Sequence, residues 1–170
     1  MPFTMKVLFL SLILAITCHA EDRVKCADGR YSFEFPAKWV KTKSPTPKAD
    51  FARESPDKGT IISINTDAIP EGRSPDLDAI AKSSAQAMAK AIGFKGEGTA
   101  SPGKLDGCDA RFVTLIPEEG QLGIVAVFID GRKDLVRFQA TIALPLDEKT
   151  KDACLAIVQS FRREDTKKSE

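Results

Sequence analysis

The longest patterned apolar stretch of the chain, residues 122–144, predicts two strands joined by a tight turn. In the second strand, polar residues such as Arg137 and Gln139 alternate with apolar ones, which indicates one buried and one polar face. The first strand is apolar on both sides, so it is predicted to be a central strand covered on both faces. Asp130 and Gly131 between the two runs favour a hairpin turn, because both residues tolerate positive φ.

Two amphipathic helices are predicted on either side of this hairpin in the chain. The first begins with Ser74 as its N-cap and Pro75 at the first helical position, and Gly93 ends it in a left-handed conformation. The second follows Asp147 as its N-cap, and its apolar stripe extends to Phe161. Each helix has a single apolar stripe, so each is expected to cover one face of the sheet.

Shorter strands complete the predicted sheet. They are expected at 31–35, 49–54, 59–65 and 108–116, with a further short strand within 94–107. The resulting order predicts an α+β fold: a single-domain α/β sandwich with a central antiparallel sheet and helices on its faces. The domain is assigned to residues 21–162, and the charged segment 163–170 is expected to be a flexible tail.

The segment 1–20 is predicted to be a cleaved export signal. Lys6 precedes an apolar run at 7–16, and small residues lead to an abrupt change to charged residues at Glu21. The run is shorter than the roughly 20 apolar residues that a membrane-spanning helix needs. The protein is therefore expected to be exported, to the periplasm or the extracellular space.

Charge and composition exclude several classes of function. Removal of Lys6 with the signal leaves 24 basic residues against 24 acidic ones, whereas nucleic-acid binding usually needs a strong basic surface. No nucleic-acid partner is therefore expected, and at most a peripheral contact with a membrane. The one histidine, His19, also lies in the signal, which excludes histidine-based catalysis and the common zinc sites from the mature chain. No cofactor and no metal site are predicted.

Three cysteines remain in the mature chain, and an odd number in an oxidising compartment suggests one disulfide and one buried or intermolecular thiol. The predicted strand and helix directions place Cys108 and Cys154 too far apart to bond. We therefore favour a disulfide between Cys26 and Cys108. Lipidation of Cys18 is an alternative to simple signal removal, although Thr17 stands where a small Gly, Ala or Ser is usual.

The segment 31–39, YSFEFPAKW, resembles the opening strand and Pro-x-x-Trp turn of the Mog1/PsbP-like fold, in particular the DcrB-like branch of exported bacterial proteins. The order and size of the other predicted elements are similar along nearly the whole mature chain. The resemblance implies a fold whose members share non-catalytic binding or assembly. The expected function is thus a non-catalytic binding or accessory protein of the cell envelope, with an unknown protein or small ligand as its partner.

The candidate ligand or partner surface is a basic cluster around Trp39, formed by Lys38, Lys41, Lys43 and Lys48. Such a cluster could meet an anionic surface, either phospholipid head groups or an acidic protein. The commoner structure for such a segment is a solvated loop whose tryptophan covers the edge of the sheet.

Two rival functions remain open. One is an adaptor or chaperone that holds a protein client on a sheet edge or apolar groove. The other is a small histidine-free hydrolase or lyase that would use only carboxylates, lysines and serines. The S-x-x-K pattern of penicillin-recognising acyl enzymes occurs twice, at Ser55 to Lys58 and at Ser101 to Lys104. Both motifs are predicted to lie in turns and lack the partner motifs of acyl enzymes, so we do not expect an enzyme.

Overall fold

The structure, a computed structural model, describes residues 22–96 and 98–164, in which the chain forms ten strands and two helices. The predicted export signal 1–20 and the alternative at Cys18 lie outside the described residues. Three strands, β1, β3 and β10, are additional to the predicted ones. The elements are β1 (Asp22–Cys26), β2 (Tyr31–Phe35), β3 (Val40–Lys41), β4 (Phe51–Glu54), β5 (Thr60–Ala68), α1 (Leu77–Ile92), β6 (Ala100–Leu105), β7 (Cys108–Leu115), β8 (Leu122–Asp130), β9 (Asp134–Ala143), α2 (Glu148–Gln159) and β10 (Arg162–Arg163).

The central feature is a seven-stranded antiparallel sheet with the order β3-β4-β5-β9-β8-β7-β6. The predicted central hairpin is confirmed, since β8 and β9 pair from Leu122 opposite Ala143 to Asp130 opposite Leu135. Most of β8 is buried on both faces, whereas β9 alternates between buried and half-buried positions. The patterns therefore placed both strands correctly, and the predicted α+β sandwich is confirmed.

The turn of the central hairpin differs from the prediction. Asp130 stays in the ladder, and the positive φ of 74° falls on Arg132, whose N–H donates to Asp130 Oδ1 at 2.8 Å. Gly131 has another role, because a Cβ atom there would lie 2.6 Å from the ring and hydroxyl of Tyr31. A glycine is thus required here by the close approach of a core side chain rather than by the backbone angle.

Helix α1 packs on one face of the large sheet, against β7 and β8. Its buried stripe consists of Leu77 and small alanines, which let the helix lie close to the sheet. The N-cap is Asp76 rather than the predicted Ser74, because the Asp76 carboxylate accepts the N–H of Ala79 at 2.9 Å. Gly93 ends the helix with φ 68°, as predicted.

The opposite face of the large sheet is covered by α2 together with a small sheet of order β1-β2-β10. An aromatic cluster fills the space between these layers. The ring of Phe33 lies 6.0 Å from that of Phe138 in β9 and 5.4 Å from that of Phe161, which follows α2. Tyr31 stacks on the ring of Phe161 at 5.9 Å. This core therefore joins the start, the middle and the end of the chain.

The predicted flexible tail, 163–170, begins inside the fold, which corrects that boundary. Arg162–Arg163 form β10 and pair with β2, and the carboxylate of Glu164 accepts the hydroxyl of Ser32 at 2.5 Å. One edge of β2 exposes backbone N–H and C=O groups that need hydrogen-bond partners. Residues 162–163 provide these partners by pairing with that edge. Residues 165–170 lie outside the described residues.

The structure does not contain the predicted disulfide between Cys26 and Cys108. Both are buried free thiols, and so is Cys154. Each packs in the core as a small apolar side chain, and the Sγ of Cys26 lies 3.9 Å from the carbonyl oxygen of Tyr31, to which it donates. Burial raises the pKa of Cys26 to about 12 and that of Cys154 to about 11.

These thiols are expected to resist alkylation in the folded protein. At about pH 8, a thiol with a pKa near 11 is ionised to roughly one part in a thousand, and only the thiolate reacts. We expect Cys154 to react with iodoacetamide far more slowly than a free thiol, with a rate that rises roughly tenfold per pH unit. Peptide mapping by mass spectrometry measures each cysteine separately.

Unfolding in guanidinium without a reductant is the control for this prediction. Cys26, Cys108 and Cys154 should then all become fully alkylated. If Cys26 and Cys108 stay unlabelled in denaturant until a reductant is added, the two form a disulfide, and the free thiols of the structure are contradicted.

Candidate functional site

A cleft of about 340 Å³ opens between three segments: the turn after β2, the turn between β4 and β5, and the first turn of α2. We term it the Trp39 cleft. Its apolar surface comes from Pro36, Trp39, Pro56 and Ala153, and its polar rim from Lys38, Ser55, Asp57, Thr60, Lys149 and Thr150. Its volume falls within the range of about 300–1,000 Å³ that is typical of ligand sites.

Trp39 is fixed by the way in which β2 ends. Pro36 stops the strand because it has no N–H to donate, and the N–H of Trp39 then closes a turn on the carbonyl of Pro36 at 2.9 Å. The indole packs on the ring of Phe35, with the centroids 6.0 Å apart, and the residue is only 8% exposed. Trp39 therefore supplies a rigid aromatic wall to the cleft.

The second wall is a turn held by its own side chains. The hydroxyl of Ser55 donates to Asp57 Oδ1 at 2.5 Å and accepts the N–H of Thr60 at 3.0 Å. The N–H of Gly59 also donates to Asp57 Oδ1, at 3.0 Å. The hydrogen bond from Ser55, and then that from Gly59, holds the pKa of Asp57 below its ordinary value.

The S-x-x-K motif at Ser55 to Lys58 accordingly lies in a turn, as predicted, with its serine occupied by structural hydrogen bonds. The second copy was predicted in a turn, but Ser101 and Lys104 lie on the edge strand β6. Pairing with β7 explains the difference, because the ladder there runs through both residues.

The third wall is the start of α2. Asp147 caps the helix, as predicted, by accepting the N–H of Thr150 at 2.6 Å, and this bond holds the pKa of Asp147 below its usual range. Lys149 and Lys38 are both exposed at the rim of the cleft. The rim thus carries two ammonium groups and the carboxylate of Asp57 beside an aromatic and apolar surface.

The structure divides the predicted basic cluster. Lys38 and Trp39 line the cleft together, whereas Lys41 lies in β3, and Lys43 and Lys48 follow on the exposed loop that leads to β4. The other two walls of the cleft come from distant parts of the chain and were not predicted. The sequence shows the turn chemistry of 55–59 and the cap of the last helix, but neither signal indicates that the two segments meet.

The described residues contain neither a candidate metal site nor a candidate membrane-spanning helix. Within 22–96 and 98–164, no group of three or more His, Cys, Asp or Glu side chains is placed to hold a metal ion. No helix in this part of the chain is long and apolar enough to cross a membrane. The chemistry of the Trp39 cleft therefore comes from lysines, hydroxyls, one carboxylate and an aromatic ring.

Solved structures share this fold. The solution structure of cyanobacterial PsbP (CyanoP) from Synechocystis sp. PCC 6803 has a TM-score of 0.64 at 15% identity, covering 88% of this chain and 95% of that one. A variant of the protein Mog1 has a TM-score of 0.53 at 12% identity, covering 86% and 97% of the two chains. A protein from Bacteroides thetaiotaomicron has a TM-score of 0.52 at 13% identity, and the match covers 85% of this chain and 48% of that one. No family model and no curated protein sequence matches the chain.

Proposed function

Because the chain has the Mog1/PsbP-like fold, as its sequence predicted, we propose that it is a non-catalytic binding or accessory protein of the cell envelope. The DcrB-like branch and the envelope location stay predictions, the latter from the export signal. The proposed binding surface is the Trp39 cleft, and the proposed partner is an acidic segment of another protein. The observation that carries this proposal is the rigid aromatic wall beside two exposed lysines, Lys38 and Lys149.

The groups of the cleft support binding better than catalysis. The hydroxyl of Ser55 and the carboxylate of Asp57 are committed to each other and to the turn. A general acid or base works best with a pKa near the working pH, whereas the pKa of Asp57 is lowered. The histidine-free hydrolase therefore has less support than a binding protein.

A protein segment fits the cleft better than a membrane surface. Trp39 is largely buried, so its indole is not free to enter the head-group region as interfacial tryptophans do. A concave site instead accepts a protruding side chain, and the lysines at the rim complement acidic neighbours. Binding should weaken at high ionic strength, because exposed charges are screened by salt.

The adaptor or chaperone is a second candidate, supported by a different surface. An apolar groove of about 280 Å³ runs between α2 and strands β7 to β9, with Phe112, Val125 and Leu146 among its lining residues. Leu155 of α2 also lines this groove and is 48% exposed. An exposed apolar groove of this kind is suited to holding the apolar side chains of a client.

Site-specific photo-cross-linking in the cells that produce the protein tests the proposal. A photoreactive residue replaces the exposed Ala37 of the cleft, the exposed Ala79 of α1 as a control, or Leu155 of the apolar groove. We expect a discrete protein adduct from position 37 and none from position 79. The double variant Lys38→Glu and Lys149→Glu should reduce that adduct at least tenfold.

The matched control for the charge reversal is the double variant Lys82→Glu and Lys95→Glu, which changes the same charge at exposed positions that do not line the cleft. It should leave the adduct from position 37 intact. Equal adducts from positions 37 and 79 would contradict the proposal. An adduct only from Leu155 would favour the adaptor instead.

A further inference from the structure

A second pocket, of about 180 Å³, lies at the start of β2, whereas the Trp39 cleft lies at the end of that strand. Three segments that are distant in the chain form it: the turn before β2, the turn of the central hairpin, and β10 with the residue after it. We term it the basic pocket, because four of the described residues that line it are cationic and one, Glu164, is acidic. The cationic residues are Arg30, Arg132, Lys133 and Arg163.

The hairpin turn that carries Arg132 and Lys133 is held at both ends. The N–H of Gly131 donates to the carbonyl of Asp134 at 3.0 Å, and the N–H of Ile69 donates to the carbonyl of Lys133 at 2.8 Å. Arg132 has a φ of 74°, in the region that favours glycine or asparagine over arginine. Because the backbone disfavours arginine at this position, its presence points to a role for the guanidinium.

The side chains of Arg132 and Lys133 are available to a ligand. Both residues are exposed, and neither side chain forms an ion pair in the described part of the chain. Arg30 differs, because its Nε and Nη2 donate to the buried carboxylate of Asp134 at 2.8 and 3.0 Å. That pair carries no net charge, so the positive charge that remains at the pocket comes from Arg132, Lys133 and Arg163.

The carboxylates around the basic pocket offset this charge only in part. Glu164 accepts the hydroxyl of Ser32 at 2.5 Å and lies 3.8 Å from a guanidinium nitrogen of Arg23, which balances its charge. Three further carboxylates lie close by without lining the pocket, those of Asp28, Asp106 and Asp130. Asp28 is 97% exposed, where water screens its charge, and the other two accept backbone N–H groups of pocket residues. The charge nearest to an anion in the pocket is therefore positive.

We propose that the basic pocket binds a small phosphate monoester. At neutral pH such a group carries a charge of about −1.5 to −2 and three acceptor oxygens, so it can engage several cations, whereas a carboxylate has two oxygens and a single charge. The guanidinium of Arg132 and the ammonium of Lys133 are the donors, and Arg163 adds positive charge. The pocket has the room of roughly six liquid waters, which is enough for a phosphate group and a small organic substituent.

An NMR titration of the isotope-labelled protein with glycerol phosphate at low salt tests this site. We expect saturable shifts of the backbone amides of residues 131–133 and 163, with a Kd below about 5 mM, and no such shifts with glycerol. Arg132→Asn removes the guanidinium at a position whose backbone suits asparagine. It should weaken binding at least about tenfold, while the midpoint of thermal unfolding stays the same or rises. A purely structural role for Arg132 would instead lower that midpoint.

The matched control is Arg73→Asn, which makes the same change of charge elsewhere on the surface. Arg73 is exposed and lines neither the basic pocket nor the Trp39 cleft, so this variant should keep the affinity of the unmodified protein. Lys133→Gln should weaken binding, because it removes the second donor. Arg132→Lys keeps the charge but loses the planar fork, so we expect a loss of affinity smaller than that of Arg132→Asn.

Three outcomes would overturn the proposal: no saturable shifts up to about 50 mM glycerol phosphate, equal affinities of Arg132→Asn and Arg73→Asn, or binding of acetate as tight as that of glycerol phosphate. The second would mean that the phosphate responds only to the overall charge of the protein, and the third would exclude recognition of a phosphate group. None of them bears on the Trp39 cleft, which shares none of its described lining residues with the basic pocket.

Discussion

Replacing Phe33 with alanine will lower the free energy of unfolding by about 3–5 kcal/mol, the usual cost of truncating a buried aromatic residue. Phe33 is fully buried in β2, and its ring contacts those of Phe138 and Phe161. The substitution leaves a cavity between the small sheet, the large sheet and the segment after α2. No single one of these elements can move to fill it. Since a domain of this kind is stable by only about 5–15 kcal/mol, the variant will be close to unfolding.

Chemical denaturation followed by circular dichroism measures this loss. The control is Val40→Ala, at a position that is 54% exposed, where we expect a change within about 0.5 kcal/mol. A similar loss for both variants would mean that the aromatic cluster does not stabilise the fold as the structure indicates.

Removing the carboxylate of Asp134 is expected to lower the free energy of unfolding by about 2–3 kcal/mol. The reason is that the guanidinium of Arg30 and the hydroxyl of Tyr31 lose the group that accepts their hydrogen bonds. Asp134 accepts from Arg30 through Nε at 2.8 Å and Nη2 at 3.0 Å, and from the hydroxyl of Tyr31 at 3.0 Å. Burial, followed by the bond to Asp134, raises the pKa of Tyr31 to about 12, so this hydroxyl stays protonated and donates at neutral pH. The measured quantity is the free energy of unfolding of Asp134→Ala.

The chain provides a matched control in Asp78, whose carboxylate binds the guanidinium of Arg111 in the same two-point manner, at 2.6 and 3.0 Å. The Asp78 side chain is 76% exposed, whereas that of Asp134 is 4% exposed. Asp78→Ala should therefore lower the free energy of unfolding much less than Asp134→Ala does. Equal losses for the two variants would show that burial does not determine how much such an arginine–aspartate pair contributes to stability. The double variant Asp134→Ala and Tyr31→Phe should lose less stability than the sum of the two single variants, because both substitutions remove the same hydrogen bond.

The elements that the sequence predicted correctly are those whose pattern of residues lies within the element or directly beside it. The alternation in β9 and its absence in β8 follow from which faces are covered, so the central hairpin could be placed from pattern alone. The caps at Gly93 and Asp147 were recognised for the same reason, since each depends on a residue adjoining its helix. Even the error at Ser74 is local, because Asp76 two residues later is an equally good N-cap.

The features that could not be predicted depend on contacts between distant segments. Arg162–Arg163 have no apolar pattern, and they form a strand only because the edge of β2 is available. Arg137 and Thr46 look like surface residues, yet a loop and a helix enclose atoms of both. One signal was present, since Ser63 and Asn65 alternate with isoleucines in β5 and are buried. Such polar residues on a covered face indicate that hydrogen-bond partners lie above them.

The pairing of β10 with β2 also determines when the fold can be completed. Ser32 and Glu164, which bond to each other, are 132 residues apart in the chain. Translation proceeds from the N-terminus, so β2 waits for its second neighbour until residues 162–163 have been made. The small sheet β1-β2-β10 therefore closes only when residues 162–163 reach the edge of β2, so this part of the domain is the last that can become complete.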